Sequence, residues 1–433
     1  MAADRLTVLL VFSPTFVDFR LPELQSLIEL LDLDVRIEPE PDLALPYLVA
    51  SFGSEADIRR YGARSIMLKV AFVLWASAPT YAELHAALGG RTDLVAPHRD
   101  ERFAFWFTSI NCTIAQDRKR EIVDGFAYLS TGADGLRGPI DLRDPQLEIG
   151  VFEYHAAGPA HLQSDGITLR RVFVGRKRAL IDAFNLKKRA YIGNTSMSAE
   201  ESLLMANQAQ AAPGRLIYDP FAGTGSMLLT AAHFGALAFG SDIDGRMMRG
   251  KAAESIWTAA DQYGVTSRIA DCLTFDLKQN PWRCGGIFDA VVTDPPYGVR
   301  AGAKRLGRHK PMRETTVDRS QFHHPFSMPM QPWELGDVLA TLLDISHFLL
   351  RDRGRLVYFL PVETAGFDEA DIPTHPGFRL VADSPQNFGK WERRLITMEK
   401  LPASEAAPSA SATASAVPNF RDLYFRGFVP SSS

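Results

Sequence analysis

The chain has 433 residues, 46% of them hydrophobic and 23% charged, with a formal net charge of −4. That length supplies separate cores for two to three domains, no apolar run approaches the ~18–20 residues that span a bilayer, and the slightly acidic balance excludes a surface that coats nucleic acid everywhere while leaving room for local basic faces. Three cysteines (Cys112, Cys272, Cys284) without metal-ligand spacing give neither a disulfide framework nor an internal zinc site, so no metal is expected. The start, MAADRLTVLLVFSPTF, has no basic segment or cleavage site and reads as a buried strand, which suits a reducing, cytoplasmic setting.

Residues 1–185 alternate short apolar strands with amphipathic helices. RLTVLLVFS predicts a strand and LPELQSLIELLDL a helix with leucines at helical spacing. VRIEPE, YLVASFG, SIMLKVAFVLWA, an AELHAAL helix, FAFWFTSI, LEIGVFEYH and TLRRVFVG continue the pattern, an α+β region with a mostly antiparallel sheet. After Asn185 the period changes. RLIYDPFAGTGSMLLTAAHFG reads strand, glycine turn, helix; ALAFGSDID is a strand ending in acids; RMMRGKAAESIWTAADQYG is one helix stopped by Gly264. SRIADC, GIFDAVVTDPPYG and GRLVYFLP are further strands, PWELGDVLATLLDISHFLL is a long helix, and FRLVADSPQNF with RRLITMEK closes as a hairpin. Strands alternating with helices over 186–401 predict a doubly wound, mostly parallel sheet. Residues 402–418 form an Ala/Ser/Pro-rich linker, and 419–433 an aromatic, basic tail that docks back or touches RNA.

Two motifs carry chemistry. In Asp219-Pro-Phe221-Ala-Gly223-Thr-Gly225, the glycines allow a tight strand-to-helix turn and close approach of a ligand. Leu228 replaces the third glycine of a dinucleotide fingerprint, and no lysine cradles a phosphate, so the ligand need not carry one. Asp242 and Asp244 end the next strand, where an acid bonds ribose hydroxyls; Asp271 follows the third strand and can accept from an adenine amine. Asp244, just before Gly245, is equally an N-cap.

The second motif is Asp294-Pro295-Pro296-Tyr297. Adjacent prolines fix φ and remove donors. Asp294 and the Pro295 carbonyl can then accept from one planar amine while Tyr297 offers a stacking face. That is a grip for an exocyclic NH2, whose lone pair is delocalised and which must be held in line with an electrophile. The electrophile implied is a sulfonium methyl. Eight basic residues against one acid occur between Arg170 and Arg189 (Arg176, Lys177, Lys187, Lys188 and Arg189 among them), and seven between Arg300 and Arg319 (Arg300, Lys304, Arg305 and Arg308 among them). Two such runs flanking one site point to a polyanion.

Together DPFAGTG, GSDID and DPPYG resemble the class I AdoMet-dependent amino-methyltransferases, with DPPY rather than NPPY leaning toward a nucleobase amine. RALIDAFNLKKRAYIGNTSMSAEESLLMANQA, DPPYGVRAGAKRLGR and WERRLITMEK further resemble the tRNA guanine-N2-methyltransferases that act at position ten, over residues 1–401. The resemblance implies a seven-stranded Rossmann-like methyltransferase domain at 186–401, behind a ferredoxin-like and THUMP RNA-binding region at 1–185. It implies S-adenosyl-L-methionine as cofactor, tRNA as substrate, and a heterodimer with a small zinc-binding methyltransferase activator subunit. On that likeness Asp219, Phe221, Gly223 and Gly225 shape the methionine end of the cofactor pocket. Asp242 holds the ribose, Asp271 and Cys272 line the adenine, and Thr195, Ser196 and Met197 belong to a covering segment, with Thr195 and Ser196 equally placed to cap a helix. Asp294, Pro295, Pro296 and Tyr297 hold the guanine. An N6-adenine methyltransferase on RNA or DNA and a non-catalytic RNA-binding scaffold remain the alternatives.

Overall fold

The stretch LTVLLVF forms β1 (Leu6–Phe12), and its five consecutive buried residues mark it as an interior strand. The computed structural model describes residues 5–38, 41–131, 134–157, 168–180, 197–250, 254–298, 303–306, 330–405 and 420–428. The sites expected at Thr195, Ser196, Lys187, Lys188, Arg189, Arg300 and Arg308, and most of the 402–418 linker, lie outside them. The chain divides into two compact units, residues 1–20 with 27–182, and 21–26 with 183–433. Among the described residues no helix is long and apolar enough to cross a membrane.

In the N-terminal part, β1 is followed by α1 (Arg20–Leu31), β2 (Val35–Ile37), β3 (Tyr47–Phe52), α2 (Glu55–Gly62), β4 (Leu68–Ala78), α3 (Tyr81–Leu88), β5 (Phe103–Ile110), α4 (Gln116–Gly125), β6 (Leu147–His155) and β7 (Leu169–Leu180). The seven strands form one sheet in the order β2-β3-β1-β4-β7-β6-β5. Every neighbouring pair is antiparallel except β5 and β6, so the mostly antiparallel α+β expectation holds. Two helices absent from the sequence reading, α2 and α4, are polar. The first is started by the Ser54 side chain accepting from the Asp57 amide at 3.2 Å, and the second buries only Ile122.

The second unit runs α5 (Ala199–Gln208), β8 (Leu216–Asp219), α6 (Ser226–His233), β9 (Leu237–Asp242), α7 (Gly245–Arg249), α8 (Ile256–Gln262), β10 (Ile269–Thr274), β11 (Phe288–Thr293), β12 (Lys304–Leu306), β13 (Met330–Pro332), α9 (Leu335–Leu349), β14 (Leu350–Glu363), β15 (Phe378–Asn387), β16 (Trp391–Lys400) and α10 (Phe420–Phe425). Its main sheet has the order β10-β9-β8-β11-β14-β16-β15. The first five are parallel, and β16 runs antiparallel to both β14 and β15. This is the doubly wound, seven-stranded sheet expected.

Two details differ. The single helix expected over 246–264 is two, α7 and α8, because Gly250 takes φ +68° and ends the first. Asp271 lies within β10 rather than after it, because the ladder with β9 continues to Thr274 opposite Asp242. The core joins Tyr218, Phe288, Leu339, Leu343, Tyr358 and Ile396, and it includes Phe420 of the C-terminal tail.

Candidate active site

Chain order reverses between β8 and β11, and in open α/β sheets the crevice outside the strand carboxyl ends at such a reversal is where ligands bind. β8 ends at Asp219, β9 at Asp242 and β11 at Thr293, one residue before Asp294. Asp219 is 3% exposed. Its Oδ1 accepts from the Phe221 amide at 3.0 Å and from the Thr293 hydroxyl at 2.6 Å. The backbone then turns through Gly223 (φ +49°) and Gly225 (φ +80°), a left-handed region that glycine enters without steric cost. At Gly225 space is also short, since a Cβ would sit 2.9 Å from the Ile256 side chain. The Gly223 amide donates to Asp242 Oδ2 at 2.9 Å and the Asp244 amide to Asp242 Oδ1 at 2.8 Å. Asp242 therefore shapes the glycine loop itself. Asp244 caps α7, accepting from the Arg246 amide, and pairs with the Arg246 guanidinium at 2.7 Å, which holds its carboxyl below the usual range.

Burial dominates the electrostatics of this crevice. It pushes the Asp219 carboxyl up to about 7; the Thr293 hydroxyl and Phe221 amide oppose the shift, while the charges of Asp242 and Asp294 add to it. Burial raises Asp242 as well. The Cys272 thiol is pushed up to about 12 by burial, then by Asp271 and Asp219, and so stays a thiol. Asp271 is exposed, its Oδ1 accepting from the Cys272 amide at 2.7 Å. Clustered, desolvated carboxylates favour a cation between them. A ligand carrying an ammonium and a sulfonium fits that chemistry.

At the DPPY corner, Pro295 is buried and Asp294, Pro296 and Tyr297 are partly so. The Tyr297 hydroxyl donates to Asp294 Oδ1. Burial first, then the Asp294 charge, raises the phenol well above its usual range, with Arg393 opposing, so Tyr297 stays protonated. Its ring meets Phe420 edge-on, centroids 6.4 Å apart at 86°, so the tail lies against the ring expected to stack on a base. Phe388 and Trp391 sit in the β15–β16 turn and stack on each other, centroids 4.5 Å apart at 18°. Phe388 is 47% exposed, whereas Trp391 packs on Phe420 and Tyr424.

Several contributors were not picked out from the sequence. Thr293 looked like the last residue of an apolar strand. Arg393 of β16 pairs with Glu201, donates to Gln386 Oε1 at 2.7 Å, and stacks 4.2 Å from the centre of the Phe359 ring. Glu201 also accepts from Gln386 at 2.9 Å and from Ser198 Oγ at 2.8 Å. Ser198 is the N-cap of α5, a role the sequence had offered to Thr195 or Ser196; Met197, just before it, is partly buried. Pairing across the hairpin brings Arg393 beside Tyr297, a relation no short motif encodes.

The basic residues divide. Arg176 pairs with Glu55 and bonds His98 at 3.1 Å, while Lys177 pairs with Glu148 at 2.6 Å and lies 4.9 Å over the Trp106 ring. Their side chains are 16% and 8% exposed. Each of these two is thus already paired with an acid of the chain, while Arg170 and Arg171 of the same run are exposed. Lys304 is exposed and Arg305 partly buried on β12. Cys112, Glu153 and His155 bring one ligand-type atom each within 4.8 Å of one another. There the His155 ring bonds Glu153 and Thr168, both at 2.9 Å, and the Tyr81 hydroxyl bonds Glu153 at 2.6 Å, a self-satisfied buried network.

A family model described as "Tmrp11 THUMP N-terminal domain" matches residues 6–180, and one described as "RMKL-like, methyltransferase domain" matches residues 187–310. The tRNA (guanine(10)-N(2))-methyltransferase of Schizosaccharomyces pombe is 34% identical over 397 residues, covering 88% of this chain and 80% of its own. That of Saccharomyces cerevisiae is 32% identical over 437 residues, covering 97% and 99%. TRMT11 of Bos taurus, which carries the same name, is 32% identical over 444 residues, covering 97% and 95%. Among solved structures, TrmN from Thermus thermophilus aligns over 92% of this chain and 100% of its own at 15% identity and a TM-score of 0.44. With this identity sustained across nearly the whole of both chains, the protein belongs to the tRNA (guanine(10)-N(2))-methyltransferase family.

Proposed function

We propose that this chain transfers a methyl group from S-adenosyl-L-methionine to the exocyclic N2 of guanosine 10 in tRNA. The observation that carries the reading is the convergence of a glycine turn, a buried carboxylate and a proline-locked acceptor corner at the carboxyl ends of β8, β9 and β11. When bound, the cofactor supplies a methyl group on a positively charged sulfur. Asp219 faces the cofactor's ammonium end, and the Gly223–Gly225 turn lets backbone approach it closely. Asp242 takes the ribose hydroxyls while holding the loop, with Asp271 and Cys272 along the adenine.

At the acceptor end, Asp294 and the Pro295 carbonyl accept from the guanine N2 hydrogens. This favours a tetrahedral nitrogen aimed at the methyl. Tyr297, kept as a phenol, orients the Asp294 carboxylate by donating to one of its oxygens. Guanine N2 lies in the minor groove of a duplex, so the base is turned out to reach the corner. The N-terminal unit, with its THUMP match, supplies phosphate contacts for registry rather than sequence reading. A small zinc-binding activator subunit completes the enzyme, a reading supported by the family resemblance.

The test is nucleoside mass spectrometry of a tRNA transcript incubated with the chain, its activator subunit and the cofactor. N2-methylguanosine on a G10 transcript, and none on an A10 transcript, supports the assignment. N6-methyladenosine on the A10 transcript would instead favour the adenine alternative, and no methylated nucleoside with intact cofactor binding would favour the scaffold.

A further inference from the structure

We infer that the C-terminal helix α10 positions the catalytic corner, with Phe420 as the residue that holds Tyr297. The inference rests on the reading of DPPY as the base-binding corner. Phe420 is 1% exposed and belongs to the core of the second unit, although residues 401–419 separate it from β16. Its ring meets Tyr297 edge-on at 6.4 Å and Trp391 at 5.7 Å. The next residue, Arg421, runs along Gly298: a Cβ at that glycine would lie 3.0 Å from Arg421 Cδ. At the far end, Lys390 Nζ donates to the Gly427 carbonyl at 3.0 Å, and Tyr424 packs on Trp391.

These contacts fall on the DPPYG corner and on the β15–β16 turn, two residues from the Arg393 that lies beside Tyr297 on its polar side. Tyr297 is thus held between an arginine from the sheet and a phenylalanine from the tail, and through its hydroxyl it orients Asp294. A helix of six residues does not persist alone in water. It exists because it is docked, so its loss frees the corner without removing any strand of the sheet.

The test compares the full chain, purified with its activator subunit, with Phe420→Ser, Phe420→Leu and a truncation after residue 405. Phe420→Ser and the truncation are expected to lower the single-turnover methyl-transfer rate about 100-fold, with the cofactor dissociation constant changed less than about twofold, because displacing an acceptor by about 1 Å costs that much in rate. Phe420→Leu should retain most of the rate. Deuterium uptake should rise in the peptide covering residues 294–298 and not in peptides from β8, β11 or β14.

Wild-type rates in the truncated chain would overturn the inference. So would exchange rising across the whole unit in step with lost cofactor affinity, the signature of a general core staple. Should the wild-type chain methylate no nucleoside, the reading of the corner fails, and the exchange measurement alone decides whether the helix holds the loop.

Discussion

Asp219→Asn exposes the conflict between stability and ligand binding most clearly. The wild-type carboxyl titrates at about 7 because it is buried beside Asp242 and Asp294. A folded-state value above the unfolded one means that the folded protein binds the extra proton. Its stabilising contribution is complete below about pH 4 and is lost as pH rises to about 7, remaining lost above that. The gap between about 3.9 for an ordinary aspartate and about 7 amounts to about 4 kcal/mol. Asparagine keeps both observed hydrogen bonds, since the Thr293 hydroxyl and the Phe221 amide both reach Oδ1.

The free variant should therefore melt several degrees above wild type at pH 8 and level with it near pH 4, read by scanning fluorimetry. Ligand binding should move the other way. If the ionised carboxylate faces the cofactor's ammonium, wild-type affinity measured by titration calorimetry falls about eightfold from pH 7.5 to pH 6, since a proton must first leave. The variant should bind more weakly at pH 7.5 and show no such slope. An equal slope in the variant, or a variant less stable than wild type at pH 8, would refute the electrostatic account.

Other perturbations probe separate parts of the structure. Arg393→Met leaves the Glu201 carboxylate buried without its guanidinium and should cost about 3–5 kcal/mol. Adding Glu201→Gln should restore the melting temperature but not the methyl-transfer rate, because Tyr297 still lacks its support. Thr293→Val removes a donor that opposes the rise at Asp219, so the pH dependence of cofactor affinity should shift to higher pH in calorimetry. Arg170→Ala with Arg171→Ala should make the log–log salt dependence of tRNA binding shallower by about 1–2, whereas Lys177→Ala, whose side chain is already paired with Glu148, should leave that slope unchanged.

Much of the fold was legible because β8, β9 and β11 are short apolar runs that end in punctuation: DPFAGTG begins at the last residue of β8, GSDID at the end of β9, and DPP directly after β11. Helices α2 and α4 were not legible, because EADIRRYG and QDRKREIVDG carry too few apolar residues to show a helical period. The break at Gly250 was missed because a lone glycine in a helical pattern is often tolerated. Asp271 was placed one element too late because strand length at a sheet edge depends on the neighbouring ladder. The motif residues of the site were visible as types at strand ends. Their partners were not: Thr293 acts on Asp219 across the sheet, and nothing local in WERRLITMEK or NFRDLYF ties Arg393 or Phe420 to DPPY. The pairing of Arg176 with Glu55 and of Lys177 with Glu148 was hidden for the same reason, since a basic run looks alike whether its acids lie on neighbouring elements or not at all.

The central claim is that Asp294, fixed by the adjacent prolines and by Tyr297, holds the acceptor amine. Its most direct measurement is the single-turnover rate of Asp294→Ala at saturating cofactor and tRNA, with both affinities measured in parallel. A loss of about 100–1000-fold in rate, of the size seen when a preorganised polar group is removed from a reacting centre, with both affinities near wild type, is the predicted result. A rate within about tenfold of wild type would show that the amine is held elsewhere and would contradict the account.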